Sequence, residues 1–364
     1  MKNNNENKIL NVPNLRFPEF TNEWGNITIK EACSEFQSGK NIKAEMITGQ
    51  GLYPVYGGNG LRGFTESYNH DGDYILIGRQ GALCGNIRKV TGKTYVTEHA
   101  IAVCASKENE TTFLQYLFQK MKLGQYSDQS AQPGLAVNKL LRLNINVPSK
   151  IEQAKIAKIL SLIDERIITQ NKIIEDLKKL KSAIYQELFS NQQGEEYSLS
   201  ELVEIIKGQQ INGNELSENG KYYVMNGGIM PSGYYDDYNT EAGTISISEG
   251  GNSCGYVQYN SSKFWSGGHC YTLHIKPAAP ISTLFLFHFL KWKETDIMTL
   301  RIGSGLPNIQ KKDLSKVSII VPTLDKQQRI MTLLSTFQMK IEHEDMYAIN
   351  LNKQKQYLLS QMFI

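Results

Sequence analysis

Val147-Pro148-Ser149-Lys150-Ile151-Glu152-Gln153 and Val321-Pro322-Thr323-Leu324-Asp325-Lys326-Gln327 are the two stretches on which the fold turns. Proline disrupts a helix interior, so any helix here begins at or after Pro148 and Pro322. Apolar residues then recur in alternating steps of four and three. In the first run these are Ile156, Leu160, Ile163, Ile167, Ile174, Leu177, Ile184 and Leu188, with breaks at Gln170 and Lys181. Displaced by 174 residues stand Ile330, Leu334, Phe337, Ile341, Ala348, Leu351, Leu358 and Met362, with breaks at the matching positions Glu344 and Lys355. A stripe of two positions in seven is too narrow for a free-standing helix and calls for a partner. The chain supplies one: if the copies are related by a pseudo-two-fold axis, the helices run antiparallel and bring Gln170 near Glu344. Polar residues at such a seam cost stability and fix register.

The segments before the helices repeat as well. With an offset of 170, residues 53 to 99 align with 223 to 269 without a gap, and 13 of 47 positions are identical. Five of these are glycines, at 57/227, 58/228, 63/233, 81/251 and 85/255. Glycine kept in both copies points to positive φ or close backbone approach, hence to turns. Tyr74 to Ile77 and Thr244 to Ile247 read as short strands. The expected architecture is therefore α+β: two tandem β-rich modules, 1–150 and 191–324, each followed by a long helix, 151–190 and 325–364, the helices forming an antiparallel coiled coil.

Several chemistries are unsupported. Gly92-Lys93-Thr94 has Ile87 where a phosphate-binding loop needs its first glycine. Gly58-Asn59-Gly60-Leu61-Arg62-Gly63 matches the dinucleotide pattern, but Tyr68 to Asp73 after it reads as a turn, not a helix. Five cysteines without C-x-x-C spacing argue against a disulfide framework or a zinc ribbon, and the six histidines form no i, i+4 pair. Met1 to Lys8 is polar and no long apolar run follows, so the expectation is a cytoplasmic protein without metal. Cys84/Cys254 and His99/His269 occur in both copies. They read as small buried thiols and hydrogen-bonded core histidines. Two alternatives stay open: an enzyme with duplicated sites around His99 and His269, and a coiled-coil adaptor without a nucleic-acid role.

The order of module, helix, module, helix resembles the specificity subunit of type I restriction-modification systems, over nearly the whole chain. Three features carry the resemblance: Val12-Pro13-Asn14-Leu15-Arg16-Phe17-Pro18-Glu19-Phe20 with Trp24, the junction from Val147 to Gln153 running into Ile156 and Leu160, and Val321-Pro322 with Gln327, Ile330 and Leu334. Lys326 stands where the family pattern has an acidic residue, so Glu152 need not share a role with it. The resemblance implies a non-catalytic DNA reader. Each module would be a target recognition domain for one half of a bipartite, asymmetric site in double-stranded DNA. The helices would space the modules and dock two modification subunits. S-adenosylmethionine for adenine methylation, and ATP with Mg for the restriction subunits, would belong to those partners and not to this chain.

Charge is unevenly spread. Residues 1–150 carry 17 basic and 13 acidic groups, whereas 191–324 carry 10 and 13. A solitary DNA binder uses a basic face to neutralise phosphates, so the chain by itself is expected to bind weakly. Candidate reading residues are those that differ on a kept framework. Arg79 aligns with Glu249, Arg62 with Ser232, Asn59 with Ile229 and Tyr56 with Asn226. Arginine suits guanine O6 and N7, whereas glutamate accepts from cytosine N4. The DNA-contacting set is Gly58, Asn59, Arg62, Arg79, Gln80, Gln129, Ser130 and Gln132 in the first copy, and Asn226, Gly228, Ser232, Ser248, Glu249, Asn252 and Ser304 in the second. Asn138 and Asn308 are expected to act as helix caps behind the polar stretches 126–134 and 301–305.

Overall fold

The computed structural model describes residues 11–128, 134–303 and 305–364. It divides into two compact units, one of Met1–Asn171 with Met346–Ile364, the other of Lys172–Asp345. The first holds strands β1 (Gly25–Thr28), β2 (Cys33–Ser38), β3 (Tyr53–Gly57), β4 (Gly60–Thr65), β5 (Asp73–Gly78), β6 (Ile87–Thr91), β7 (Tyr95–Val96), β8 (Ala100–Ala105) and β9 (Asn144–Val147). The second holds β10 (Glu195–Ser198), β11 (Val203–Lys207), β12 (Tyr222–Met225), β13 (Gly233–Tyr235), β14 (Thr244–Ser248), β15 (Val257–Asn260), β16 (Trp265–Ser266), β17 (Cys270–Ile275) and β18 (Ser318–Val321).

The duplication extends to topology. An antiparallel sheet in the order β2-β8-β5-β6 recurs as β11-β17-β14-β15, and a three-stranded sheet β4-β3-β7 recurs as β13-β12-β16. Pairing of first and last strands, β1 with β9 and β10 with β18, closes each module. The expected strands at Tyr74 to Ile77 and Thr244 to Ile247 are β5 and β14, buried from Ile75 to Gly78 and from Thr244 to Ser248, because each is interior to its sheet and covered on both faces. Ile75 and Ile77 face a large core with Trp24, Phe113 and Leu117, while Leu76 joins Val90, Val96, Ala100 and Ala102 on the other face. The Gly58–Gly63 stretch is a hairpin running into β4, with no helix to meet a pyrophosphate.

The helices run Lys150–Ser190 and Leu324–Gln361. Their launching motif now has a mechanism. Gln153 donates to Pro148 O at 3.0 Å and Asn109 Oδ1 at 3.0 Å, and accepts from Glu110 N at 2.9 Å. Gln327 donates to Pro322 O at 2.9 Å and Pro280 O at 2.8 Å, and accepts from Ser282 N at 2.9 Å. A buried amide with both donors and its oxygen engaged pins each long helix to the start of the short helix that covers its module. Glu152 and Lys326 do part company, as expected from the sequence. Glu152 is buried and accepts from Nε and Nη2 of Arg16, each at 2.8 Å, whereas Lys326 is exposed.

All twenty heptad positions, including Ile167, Leu177, Ile184, Phe337, Leu351 and Leu358, are buried or half-buried. Within the first unit Ile156 and Leu160 share a core with Leu359, Met362 and Phe363, and Lys355 Nζ lies 2.6 Å from Asp164 Oδ1. Within the second, Tyr185 and Phe189 share a core with Ile330 and Leu334, and Lys181 Nζ donates to Gln338 Oε1 at 2.6 Å. The lysine breaks thus sit at matching places, one facing a carboxylate and the other an amide. Gln170 is buried, and Glu344 pairs with Lys340 on its own helix.

Candidate nucleic-acid interface

Turns retained in both copies shape one cleft per module. Gly85 has φ +84° and Gly255 +93°, and an added Cβ would lie 2.1 Å from Gly124 N or 2.8 Å from Met298 Cγ. Neither position tolerates a side chain, so the loops Gly81–Gly85 and Gly251–Gly255 keep one course while other residues vary. Inside these loops the thiols of Cys84 and Cys254 donate to the carbonyls of Arg79 and Glu249, at 3.3 and 2.9 Å. Cys254 is buried and Cys84 half-buried, and burial raises both thiols above the usual range. They are fasteners in the protonated form.

In the first module, Gly58, Asn59, Arg62, Gln80 and His99 surround a cleft of about 280 Å³. Gln80 Oε1 lies 2.9 Å from His99 Nδ1, and His99 Nε2 lies 3.2 Å from Glu98. Arg79, on the same loop, bonds through its backbone to His99 O and Leu135 N. Asn59, Arg62 and Gln80 are exposed donors on three different segments, a hairpin, a strand and a loop. Gln129, Ser130 and Gln132 lie outside the described residues.

In the second module, Asn226, Gly228, Ser232, Glu249 and Asn252 line a cleft of about 570 Å³ with Lys207, His269, Leu306 and Pro307. Glu249 Oε1 accepts from Lys207 Nζ at 2.6 Å and Tyr271 Oη at 3.2 Å, and Oε2 stands 3.9 Å from His269 Nδ1. Burial, with Glu249 alongside, pushes the Tyr271 hydroxyl up to about 12. It therefore stays a donor. Glu249 thus lines the cleft with one carboxylate oxygen held by Lys207 and Tyr271. Ser248 is buried and donates to Gly227 O at 2.6 Å and Gly250 O at 3.2 Å, so it positions the loops from beneath. Ser304 lies outside the described residues.

Two sequence expectations are corrected. His99 and His269 are not core residues: their side chains are 45% and 62% exposed at the cleft rims. In both copies the histidine's backbone carbonyl accepts from the residue at position 79 or 249. Asn138 and Asn308 are not helix caps. The helices begin behind Ala136 and Gln310, which puts Asn138 inside the first turn and leaves Asn308 in backbone pairing with Ile302 and Gly250.

Lys207, Leu306 and Pro307 escaped notice in the sequence because they lie outside the gap-free repeat and reach the cleft only through folding. Among the described residues no three His, Cys, Asp or Glu side chains gather as metal ligands, and no helix is long and apolar enough to cross a membrane.

A family model described as type I restriction modification DNA specificity domain matches the chain twice, over residues 21–179 and 191–351. The type I restriction enzyme EcoprrI specificity subunit of Escherichia coli is 40% identical over 173 residues, covering 46% of this chain and 42% of that protein. Matches to relatives from Mycoplasma pneumoniae and Mycoplasma genitalium likewise span 43% and 38% of their lengths, so the chain spans less than half of each of these relatives. The fold is similar to the crystal structure of a type I restriction-modification system S subunit from M. genitalium, with a TM-score of 0.69 at 22% identity, covering 97% of this chain and 99% of that one.

Proposed function

From the premise that the chain belongs to the type I restriction modification DNA specificity family, matched over both of its halves, we propose that it is the DNA-reading subunit of a type I restriction-modification enzyme. Each module reads one half of a bipartite, asymmetric site in duplex DNA. The long helices pair along their length as an antiparallel coiled coil, set the spacing between half-sites and dock two modification subunits. Methyl transfer from S-adenosylmethionine, and ATP- and Mg-dependent restriction, belong to partner subunits in the cytoplasm. This chain supplies the address and no catalytic group.

One observation carries the reading: two clefts stand on the same backbone framework with different polar side chains, Asn59, Arg62 and Gln80 in one, Asn226, Glu249 and Asn252 in the other. That is the arrangement expected of a duplicated reader whose halves recognise different bases. The alternative of twin active sites has little support. His99 lies between Gln80 at 2.9 Å and its chain neighbour Glu98 at 3.2 Å, whereas His269 stands 3.9 Å from Glu249 on another segment, and the residues lining the two clefts share no nucleophile.

Methylome sequencing of the host with and without the gene tests the proposal, with a two-part methylated adenine motif as the expected result. Exchanging Gly57–Gly85 for the corresponding segment of a relative should change one half of that motif. Loss of no motif, or an unchanged motif after the exchange, would overturn the reading. The chain without partners should bind its site weakly in ~150 mM salt, because counterion release is then a small driving force.

A further inference from the structure

The rim of the second cleft carries large apolar side chains that nothing in its own unit covers. Leu306, which lines the cleft, is 86% exposed, and Met230 and Ile229, on the hairpin between the lining residues Gly228 and Ser232, are 70% and 54% exposed. A folded chain has no internal use for such residues at loop tips, and apolar groups clustered at the mouth of a polar cleft mark contact with a ligand. In the first module the positions equivalent to Ile229 and Met230 are Asn59 and Gly60. The second module is also the one with an excess of acidic over basic residues, 13 against 10, and so has the weaker electrostatic claim on phosphate.

We infer that Met230 and Leu306 read thymine in the half-site of the second module, by packing against its 5-methyl group. This rests on DNA being the ligand of the cleft and names what the cleft selects. The thymine methyl is the one apolar feature that base edges present in the major groove. Asn226, Asn252 and Glu249 line the same cleft as Leu306, the amides able to donate or accept and the carboxylate to accept from neighbouring bases. A protein partner on the same patch would use the apolar groups and leave those polar groups without a role. Burial of one methyl is worth roughly a fourfold change in affinity.

The test uses the chain assembled with its modification subunits, and duplexes built on the methylated motif. Thymines in one half at a time are replaced by deoxyuridine, which removes only the methyl. The expected result is a roughly fourfold loss of affinity per critical thymine in one half-site. A Met230→Ser, Leu306→Ser double variant should bind thymine and deoxyuridine duplexes alike, at the affinity of the unaltered protein for deoxyuridine. That last equality also reports that the variant is folded.

Three outcomes would overturn the inference while DNA reading stands: a second half-site with no A·T pair, no deoxyuridine effect in either half despite preference over scrambled duplex, or an effect that persists in the variant. Failure of the variant to assemble with the modification subunits would assign the patch to a protein contact instead. No preference of the unaltered complex for its motif over scrambled duplex would be a failure of the DNA reading itself.

Discussion

Between its two sheets, the first module encloses Leu76, Val90 and Ala102, whereas the second encloses Ser246, Asn260 and Thr272 at the equivalent positions. The backbone frame is the same and the adhesive differs. Asn260 Nδ2 donates to Ser246 Oγ at 2.9 Å and Thr244 O at 3.0 Å, and its Oδ1 accepts from Tyr223 Oη at 3.1 Å. An apolar layer and a satisfied polar layer are therefore interchangeable as sets. A mixed layer is not, because a buried donor without a partner carries its full desolvation cost. The same logic separates Glu152 from Lys326, and Tyr116 from His288.

The largest expected effect concerns the junction. Arg16→Ala strands Glu152, whose side chain is 1% exposed, without its cation. A loss of about 3 kcal/mol is expected for the first module, against less than about 0.5 kcal/mol for Lys326→Ala at the exposed counterpart in the second. Thermal unfolding followed module by module reads the difference. Equal shifts would show that the two junctions are not as unlike as their contacts indicate.

Next come the inner layers. Val90→Asn places an amide in an apolar site and should cost about 2 to 3 kcal/mol, while Asn260→Val should cost about 2 kcal/mol by stranding Ser246 and Tyr223. Replacing Ser246, Asn260 and Thr272 together by Leu, Val and Ala should return most of that loss. Denaturant midpoints decide it, and a triple variant weaker than Asn260→Val would break the equivalence of the layers.

A smaller contrast depends on pH. His288 Nδ1 lies 2.6 Å from Tyr185 Oη in the second core, and burial, helped by Lys181, lowers the imidazole to about 4 from an ordinary value of 6.5. The unfolded chain therefore takes up a proton that the folded module refuses. Stability is complete above pH 6.5 and falls by about 2 kcal/mol as the pH drops to about 5. Tyr116, the equivalent residue of the first module, hydrogen-bonds Asp164 at 2.8 Å and makes no such demand. Unfolding measured between pH 7 and 4 should show the slope in the second module, where His288→Gln should flatten it; in the first module buried His70, lowered by desolvation, contributes a slope of its own that His288→Gln leaves unchanged.

The smallest effect belongs to the seam lysines. Lys355→Ala removes an ion pair with Asp164 at 17% and 28% exposure, and should cost about 1 kcal/mol. Lys181→Ala removes a bond to a neutral amide and should cost about half that. Raising salt should narrow the gap, because screening weakens only the ion pair.

Much of this organisation was legible in the residues alone. The 174-residue echo of the heptads, down to Lys181 and Lys355, and the 170-residue echo of the glycines determined two modules and two long helices. Such signals survive because periodicity and positive φ are local demands, met by residue types at fixed spacing. The candidate cleft was half legible, since Asn59, Arg62 and Asn226 fall in or beside the aligned hairpins. Tertiary structure alone decided the rest. It brought Lys207 against Glu249, placed Leu306 at the second rim, turned His99 and His269 outward and enclosed Ser246 with Asn260. These depend on which distant strands and loops become neighbours, and a side chain's burial and partners are set by that packing rather than by its place in the chain.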